Sequence, residues 1–302
     1  MAENTYIDTY AAIGNREDLI DIITMISPKD TVFYSRIGRA PIKASVHEWL
    51  TEELDAVEET NYVVEGLSAS YASGDANYRS RITGYTQILR KEFSSSYTQD
   101  ATDKAGIAGT EFDHQRMLKT KSIARDINWH MINGSSSAGT SGAARKMNGL
   151  LASITTNVKS MTVNSIAQPL SQPIFNDALQ LCWDGGGSPN AVYVNGFNKR
   201  VISGWTQPLN RNIDATGRKM VVAVDVYDGD FGRVEMVLDR HMSTSQVAIV
   251  EDQRYKKASL RPLFFEETAK VGGSRQGYVE AELTLEYRAE KSSAKITGTA
   301  TA

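Results

Sequence analysis

The segment "GYVEAELTLEYRAE", residues 277 to 290, carries Glu280, Glu282 and Glu286 on one side of a period-two pattern. Carboxylates spaced in this way could form a catalytic row, hold a cation, lie in solvent, or meet another subunit. Acid–base work needs a partner poised to exchange protons with a substrate. A cation site needs a converging set of oxygen or nitrogen ligands. No histidine, ligand set or activated nucleophile accompanies the row in the sequence. It is therefore expected to be non-catalytic, pointing away from the core as a solvated surface or meeting arginines of a neighbouring copy. The opposite side of the strand, Val279, Ala281, Leu283, Leu285 and Tyr287, is expected to face the core.

A second charged group lies upstream. Arg79, Arg81, Arg90 and Lys91 cluster among tyrosines. Phosphate binding is one use for such a cluster. Ion pairs to an acidic stretch, such as Glu48–Glu59 of another copy, are the preferred reading. The candidate intersubunit contacts are thus Arg79, Arg81, Arg90, Lys91, Glu280, Glu282 and Glu286.

The remaining motifs fail on their surroundings. Asp230-Phe231-Gly232 spells a kinase metal-binding triplet, but the ordered glycine-rich loop, strand lysine and His-Arg-Asp loop are missing. Asp225, Asp228 and Asp230 lack the spacing of a calcium loop. His47-Glu48 begins a zinc-protease helix motif, yet Thr51 stands where the second histidine belongs. His114, His130 and His241 have no ligand spacing with one another or with Cys182. Cys182 lies in apolar "LQLCWD" and reads as a small core residue. The glycines of "DGGGSPN" follow a helix and lack a lysine, unlike a phosphate loop. No catalytic residue, metal or cofactor is expected.

The elements that must position these residues come from a chain of 302 residues, 41% hydrophobic and 23% charged, with net charge −3. A sequence this balanced does not grip nucleic acid through bulk positive charge. A single cysteine forms no intrachain disulfide and points to a reducing compartment. "MAENTYIDTY" has neither a basic nor an apolar signal region, and no membrane-length apolar run exists.

Along the chain, "NREDLIDIITMISPKD" reads as one short helix and "VFYSRIGRAPIKAS" as extended chain. "HEWLTEELDAV" reads as a short acidic helical turn. Residues 60 to 98 read as a long hairpin turning at "ASGDAN", with little to bury and a need for outside support. Residues 103 to 133 hold the longest helix, with Phe112, Met117, Ile123, Ala124, Ile127 and Met131 on one arc of roughly 140°. Leu118 and Trp129 fall near the opposite side, so two faces should find partners. A Gly/Ser loop follows at "NGSSSAGTSG". Residues 150 to 245 read as a mixed α/β unit, with a helix at "SQPIFNDALQLCWDGGG", a buried strand at "AVYVNG", a helix at "FNKRVISGWT" and two strands around an Asp-Gly turn. Further strands close the chain.

This order of elements resembles the Hong Kong 97 fold of tailed-phage major capsid proteins. "VHEWLTEELD", "GYTQILRKEFSSSYTQDATDKAG", "AARKMNGLLASITTN", "YVNGFNKRVISGW", "VVAVDVYDGDFGRVEMVLDRHM" and "LRPLFFEETAKVGGS" are similar, in order, to the SU-ten-like major capsid subfamily. The resemblance spans about residues 40 to 297. Val271-Gly272-Gly273-Ser274 departs from the family's Thr-Gly-Asp-Ser turn, and the helix around His114 and Met117 diverges.

The resemblance implies an α+β capsid fold divided as follows. Residues 1 to 40 would be an N-terminal arm and 41 to 102 an extended loop region lying over an adjacent subunit. Residues 103 to 149 would be the peripheral domain's spine helix and following loop. Residues 150 to 245 would be the axial domain, and 246 to 302 the peripheral strands and C-terminus. It further implies hexamers and pentamers in an icosahedral head, portal and scaffolding partners, packaged double-stranded DNA bound without sequence preference, and no membrane partner. The chain would be a virion protein assembled in the host cytoplasm. An encapsulin-like cage around protein cargo shares the fold. A soluble α/β enzyme is the alternative of a different class.

Overall fold

The computed structural model describes residues 30–54, 57–68, 79–107, 109–163, 166–205, 225–270 and 272–300. The helix expected in "NREDLIDIITMISPKD" lies outside the described residues but for its last, Asp30, and the "ASGDAN" turn lies outside them entirely. The first described element is a short helix, α1 (Val32–Arg36), where extended chain was expected. It forms because Phe33 has a buried seat to fill. Strand β1 (Gly38–Pro41) follows. "HEWLT" is not helical: it lies in β2 (Val46–Thr51), where alternating exposure places His47, Trp49 and Thr51 on the inner side.

The long hairpin is also paired differently from expectation. Strand β3 (Ser80–Tyr85) pairs antiparallel with β2, Val46 opposite Tyr85 and Thr51 opposite Ser80. Residues 61–64 form no strand. Strand β4 (Gln87–Ser96) leaves the hairpin and enters the main sheet, its alternating burial marking a strand with one covered face. Ser96 caps a short helix, α2 (Tyr97–Ala101), by accepting from Gln99 N–H.

Helix α3 (Glu111–Asn133) begins eight residues later than residue 103, where Thr110 Oγ1 accepts from Asp113 N–H at 3.2 Å. Glu111 and Asp113 lie in its first turn, which suits the helix dipole. Phe112, Ile123, Ile127 and Met131 are buried as expected; Met117 is 45% exposed instead. The helix stops at Gly134, whose backbone meets Gly149: N–H of Gly149 donates to Gly134 O at 3.0 Å. A Cβ on Gly149 would lie 2.4 Å from Gly134 N, so only glycine closes the loop that carries Arg145.

Next come α4 (Leu150–Ser153), β5 (Val158–Ser160), β6 (Thr162–Val163), β7 (Ile166–Ala167) and α5 (Gln172–Asp184), the last entered through Pro173 and closed by glycines. Strand β8 (Ala191–Val194) is wholly buried, and α6 (Gly196–Trp205) follows. The expected turn joins β9 (Val226–Gly229) to β10 (Gly232–Leu238), with Gly229 opposite Gly232 and Asp230-Phe231 at its tip. Gly232 has φ 115°, a conformation that favours glycine. The chain ends in β11 (Gln246–Val250), β12 (Tyr255–Glu267), β13 (Ser274–Tyr287) and β14 (Ala294–Thr297).

Two sheets organise these elements. The first has order β1-β12-β13-β4 and the second β5-β14-β11-β8-β10-β9. Segment 246–302 is therefore shared: β12 and β13 join the first sheet, while β11 and β14 complete the sheet built from 150–245. One core sits between α3 and β13, containing Ile123, Ile127 and Met131 with Val279, Ala281, Leu283 and Leu285. This is the assignment expected for the apolar face. A second core lies around α5, with Phe175, Leu179 and Cys182 against Val192, Val247 and Ile296. Cys182 is fully buried, and burial pushes its thiol up to about 12.

Helix α1 wedges between the sheets. Phe33 stands edge-on to Tyr193 of β8 at 5.2 Å and lies 6.3 Å from Tyr255 of β12. Its N–H donates to Asp239 and that of Tyr34 to Asn128 of α3. Lys257 donates to the Tyr34 carbonyl, and Arg36 bridges Glu235 and Asp252.

Candidate functional site

The carboxylate row is neither solvated nor open. Glu280, Glu282 and Glu286 are 1%, 4% and 3% exposed, and Thr284 between them is fully buried. The expectation of a solvated face is thus corrected. β13 is an inner strand of its sheet and is covered on both sides, by α3 on one and by the base of β2–β3 and the 138–145 loop on the other. A carboxylate in such a place must be paired.

Its partners come from the same chain. Arg90 Nε donates to Glu280 Oε2 at 2.7 Å, and Arg261 reaches Glu280 Oε1 at 2.6 Å. Arg261 Nε also donates to Glu282 at 3.0 Å, where Arg145 at 2.9 Å and the Thr86 hydroxyl at 2.8 Å join it. Glu286 is held by Arg288 at 2.6 Å and His47 at 3.1 Å. Burial alone raises the carboxyls of Glu282 and Glu286. Thr86, Arg261 and Arg145 outweigh it for Glu282, and Arg288 and His47 for Glu286, so both sit below the ordinary carboxylate value. Arg90 and Arg261 are held above the ordinary arginine value, chiefly by their hydrogen bonds to Glu280 and Glu282.

This arrangement holds elements together and leaves no free base. Every glutamate of the row is neutralised by a guanidinium, and the row fastens β2, β4, β12, Thr86 between β3 and β4, and the 138–145 loop to one strand. The seam with β2–β3 keeps two unpartnered polar atoms, Trp49 Nε1 and Thr284 Oγ1. Trp49 lies edge-on to Tyr287 at 5.3 Å. Among the described residues no cluster of histidine, cysteine or carboxylates could hold a metal ion.

The basic cluster divides. Within the chain, Arg79 pairs with Glu52 at 3.4 Å, just beyond the ends of β3 and β2, and Arg81 of β3 pairs with Glu48 of β2 at 3.3 Å. Their side chains stay 66% exposed. Arg90 turns to Glu280, and Lys91 to Asp126 of α3 at 2.7 Å. Arg145, Arg261, Arg288 and Thr86 were not singled out from the sequence, and His47 was weighed only as part of an incomplete zinc motif. Arg90 and Arg261 share a signal: they stand opposite Glu280 and Glu282 in the strand registers. Arg145 comes from a loop, and no local pattern marks it.

Beyond this seam, the residues after β2 expose large apolar side chains. Leu54, Val57, Tyr62, Val63, Val64 and Leu67 are 68–95% exposed. Isolated apolar residues on a surface are ordinary, but six so exposed within fourteen positions are an unusual concentration.

A family model described as SU10 major capsid protein matches residues 4–300. A major capsid protein of Escherichia phage Phieco32 is 24% identical over 340 residues, covering 95% of each chain. The structure resembles the Cyanophage A-1(L) capsid asymmetric unit, with TM-score 0.73, 11% identity, and 98% and 99% of the two chains covered. It also resembles the holo-SrpI encapsulin complex of Synechococcus elongatus PCC 7942, with TM-score 0.55, 10% identity, and 95% and 93% covered.

Proposed function

The chain belongs to the SU10 major capsid protein family and has the Hong Kong 97 fold, and on that premise we propose that its copies assemble as hexamers and pentamers of an icosahedral phage head enclosing double-stranded DNA. Residues 1–40 would be the arm, 41–102 the extended loop region, 103–149 the spine helix and its loop, 150–245 the axial domain, and 246–302 the returning strands. Portal and scaffolding proteins would be partners, and assembly would take place in the host cytoplasm.

The observation that carries this reading is the exposed strip from Leu54 to Leu67. Burying one such side chain contributes on the order of 1.5–3 kcal/mol, so the strip is a strong drive for association and a liability for a lone subunit. A neighbouring copy is the natural cover in a shell. Of the seven charged candidates, Arg79 and Arg81 keep the most exposed side chains, which supports reading them as the ones that would reach another copy. Arg90, Lys91, Glu280, Glu282 and Glu286 would act within the subunit by fixing the strip's base.

Electron microscopy and sedimentation of the expressed chain test the reading. Closed shells support it; a stable monomer that forms no shells, alone or with phage partners, sinks it. An encapsulin-like cage is separated by contents, since protein cargo without nucleic acid would favour that reading.

A further inference from the structure

The run "HQRMLKTKSIAR", residues 114 to 125, contains four cations and no carboxylate. It forms the middle of α3. The acids beside it are engaged, Asp113 with Arg116 and Asp126 with Lys91. Lys119 and Lys121 have no carboxylate partner among the described residues. Next to them Met117 and Trp129 are 45% and 46% exposed. Residues 48 to 65 are the reverse, with seven carboxylates and no lysine or arginine.

α3 and the base of β2–β3, from which the acidic stretch continues, lie on opposite faces of β13. α3 covers the Val279–Leu285 side of β13. The base of β2–β3 covers the other, where His47 meets Glu286, Thr86 meets Glu282, and Gly84 approaches Thr284. A wall one subunit thick turns the same side of every copy inward. An acidic loop of one copy and the cationic helix of the next therefore stay on opposite surfaces of that wall. Lys119 and Lys121 are therefore left to meet some other polyanion.

We propose that the α3 side is the inner surface of the shell, and that Lys119 and Lys121, flanked by Arg116 and Arg125, contact the phosphates of the enclosed duplex DNA. The inference rests on the capsid reading. Contacts of this kind are independent of sequence and release counterions, so each lysine lost removes about 0.9 from the slope of log affinity against log salt. The acidic loop side repels phosphate and faces outward.

The test is titration of the full-length chain with a short duplex DNA at several salt concentrations. Lys119→Ala/Lys121→Ala should lower the magnitude of the salt slope by about 2. Lys43→Ala/Lys159→Ala, on other surfaces, should leave it unchanged. A slope unchanged by the Lys119/Lys121 pair overturns the inference. In full heads, a photo-crosslinking residue in place of Lys121 should capture DNA; capture of residues 1–29 or 52–68 of any copy instead would assign the surface to the protein itself and overturn it. Shells that form while these tests fail leave the capsid reading standing. Absence of shells from the parent chain removes that reading instead.

Discussion

Arg90 stands directly opposite Glu280 in the antiparallel pairing of β4 with β13, and its guanidinium donates to that carboxylate at 2.7 Å. The pair shows how a strand can carry glutamates through a sheet covered on both faces. Glu280 lies at the bottom and the partly exposed Arg90 closes over it, with Arg261 arriving from the other neighbouring strand. Two guanidiniums offset the desolvation of one carboxylate, and the arrangement fixes both strand registers.

Reversing a charge in this row should be as damaging as placing one in the apolar core. Glu282→Lys would set a buried ammonium between Arg261 and Arg145, at a cost of about 3–5 kcal/mol. Leu283→Asp, on the other face, should cost several kcal/mol by burying an unpaired carboxylate. Urea unfolding of soluble subunits measures both. A Glu282→Lys subunit within about 0.5 kcal/mol of the parent would mean that the row is a solvated surface after all.

The same row predicts a stability loss in acid. Glu282 and Glu286 titrate below the ordinary value of 4.5 in the folded chain. The unfolded chain then binds more protons as pH falls through this range. Their stabilisation is fully present above about pH 5 and is lost as pH drops through 4.5 toward the folded values. Thermal melts of subunits from pH 7 to pH 3 should show that fall, and Glu282→Gln should flatten it. A Glu282→Gln profile parallel to the parent's would remove this carboxylate as a source of the acid sensitivity.

Much of this was legible in the sequence, and the failures have physical causes. The period-two pattern of β13 marked its apolar face, and α3's stripe marked what that face meets. The pattern was silent on the second face, because Glu280 and Glu282 look alike whether water or arginine neutralises them. Only register distinguishes the cases, and register is a long-range property: Glu280 is paired with Arg90, 190 positions away. "HEWLT" failed for the same reason. Its local preference is helical, but Trp49 finds Tyr287 and His47 finds Glu286 only if the segment is a strand. Helix α1 is set by the seat for Phe33, which no local pattern records.

That seat yields a third prediction. Phe33 is fully buried between Tyr193 and Tyr255, which belong to different sheets. Phe33→Ala should cost about 3–5 kcal/mol, the usual range for a buried phenylalanine. Phe33→Leu should recover most of that loss. Denaturant unfolding of the three chains gives the order parent, Leu, Ala. An Ala variant as stable as the parent would show that α1 does not join the two sheets.

The exposed strip from Leu54 to Leu67 should behave in the opposite way, indifferent in the subunit and decisive in the shell. Val63, Val64 and Leu67 are 78%, 77% and 68% exposed, so polar replacements remove little intramolecular packing. Val63→Ser/Val64→Ser/Leu67→Ser should change subunit stability by about 0.5 kcal/mol or less per site. In a shell each of these side chains would lose its cover, at roughly 1.5 kcal/mol or more apiece, repeated in every copy. The triple variant should therefore fold, melt like the parent, and fail to close shells at concentrations where the parent does. Hydrogen exchange supplies an independent measure. Amides of residues 61–67 lack strand partners and should exchange quickly in free subunits and slowly in shells. Those of β4, hydrogen-bonded to β13, should be protected in both. If residues 61–67 are equally protected in the two states, their cover comes from within the chain, and the observation that carries the capsid reading loses its force.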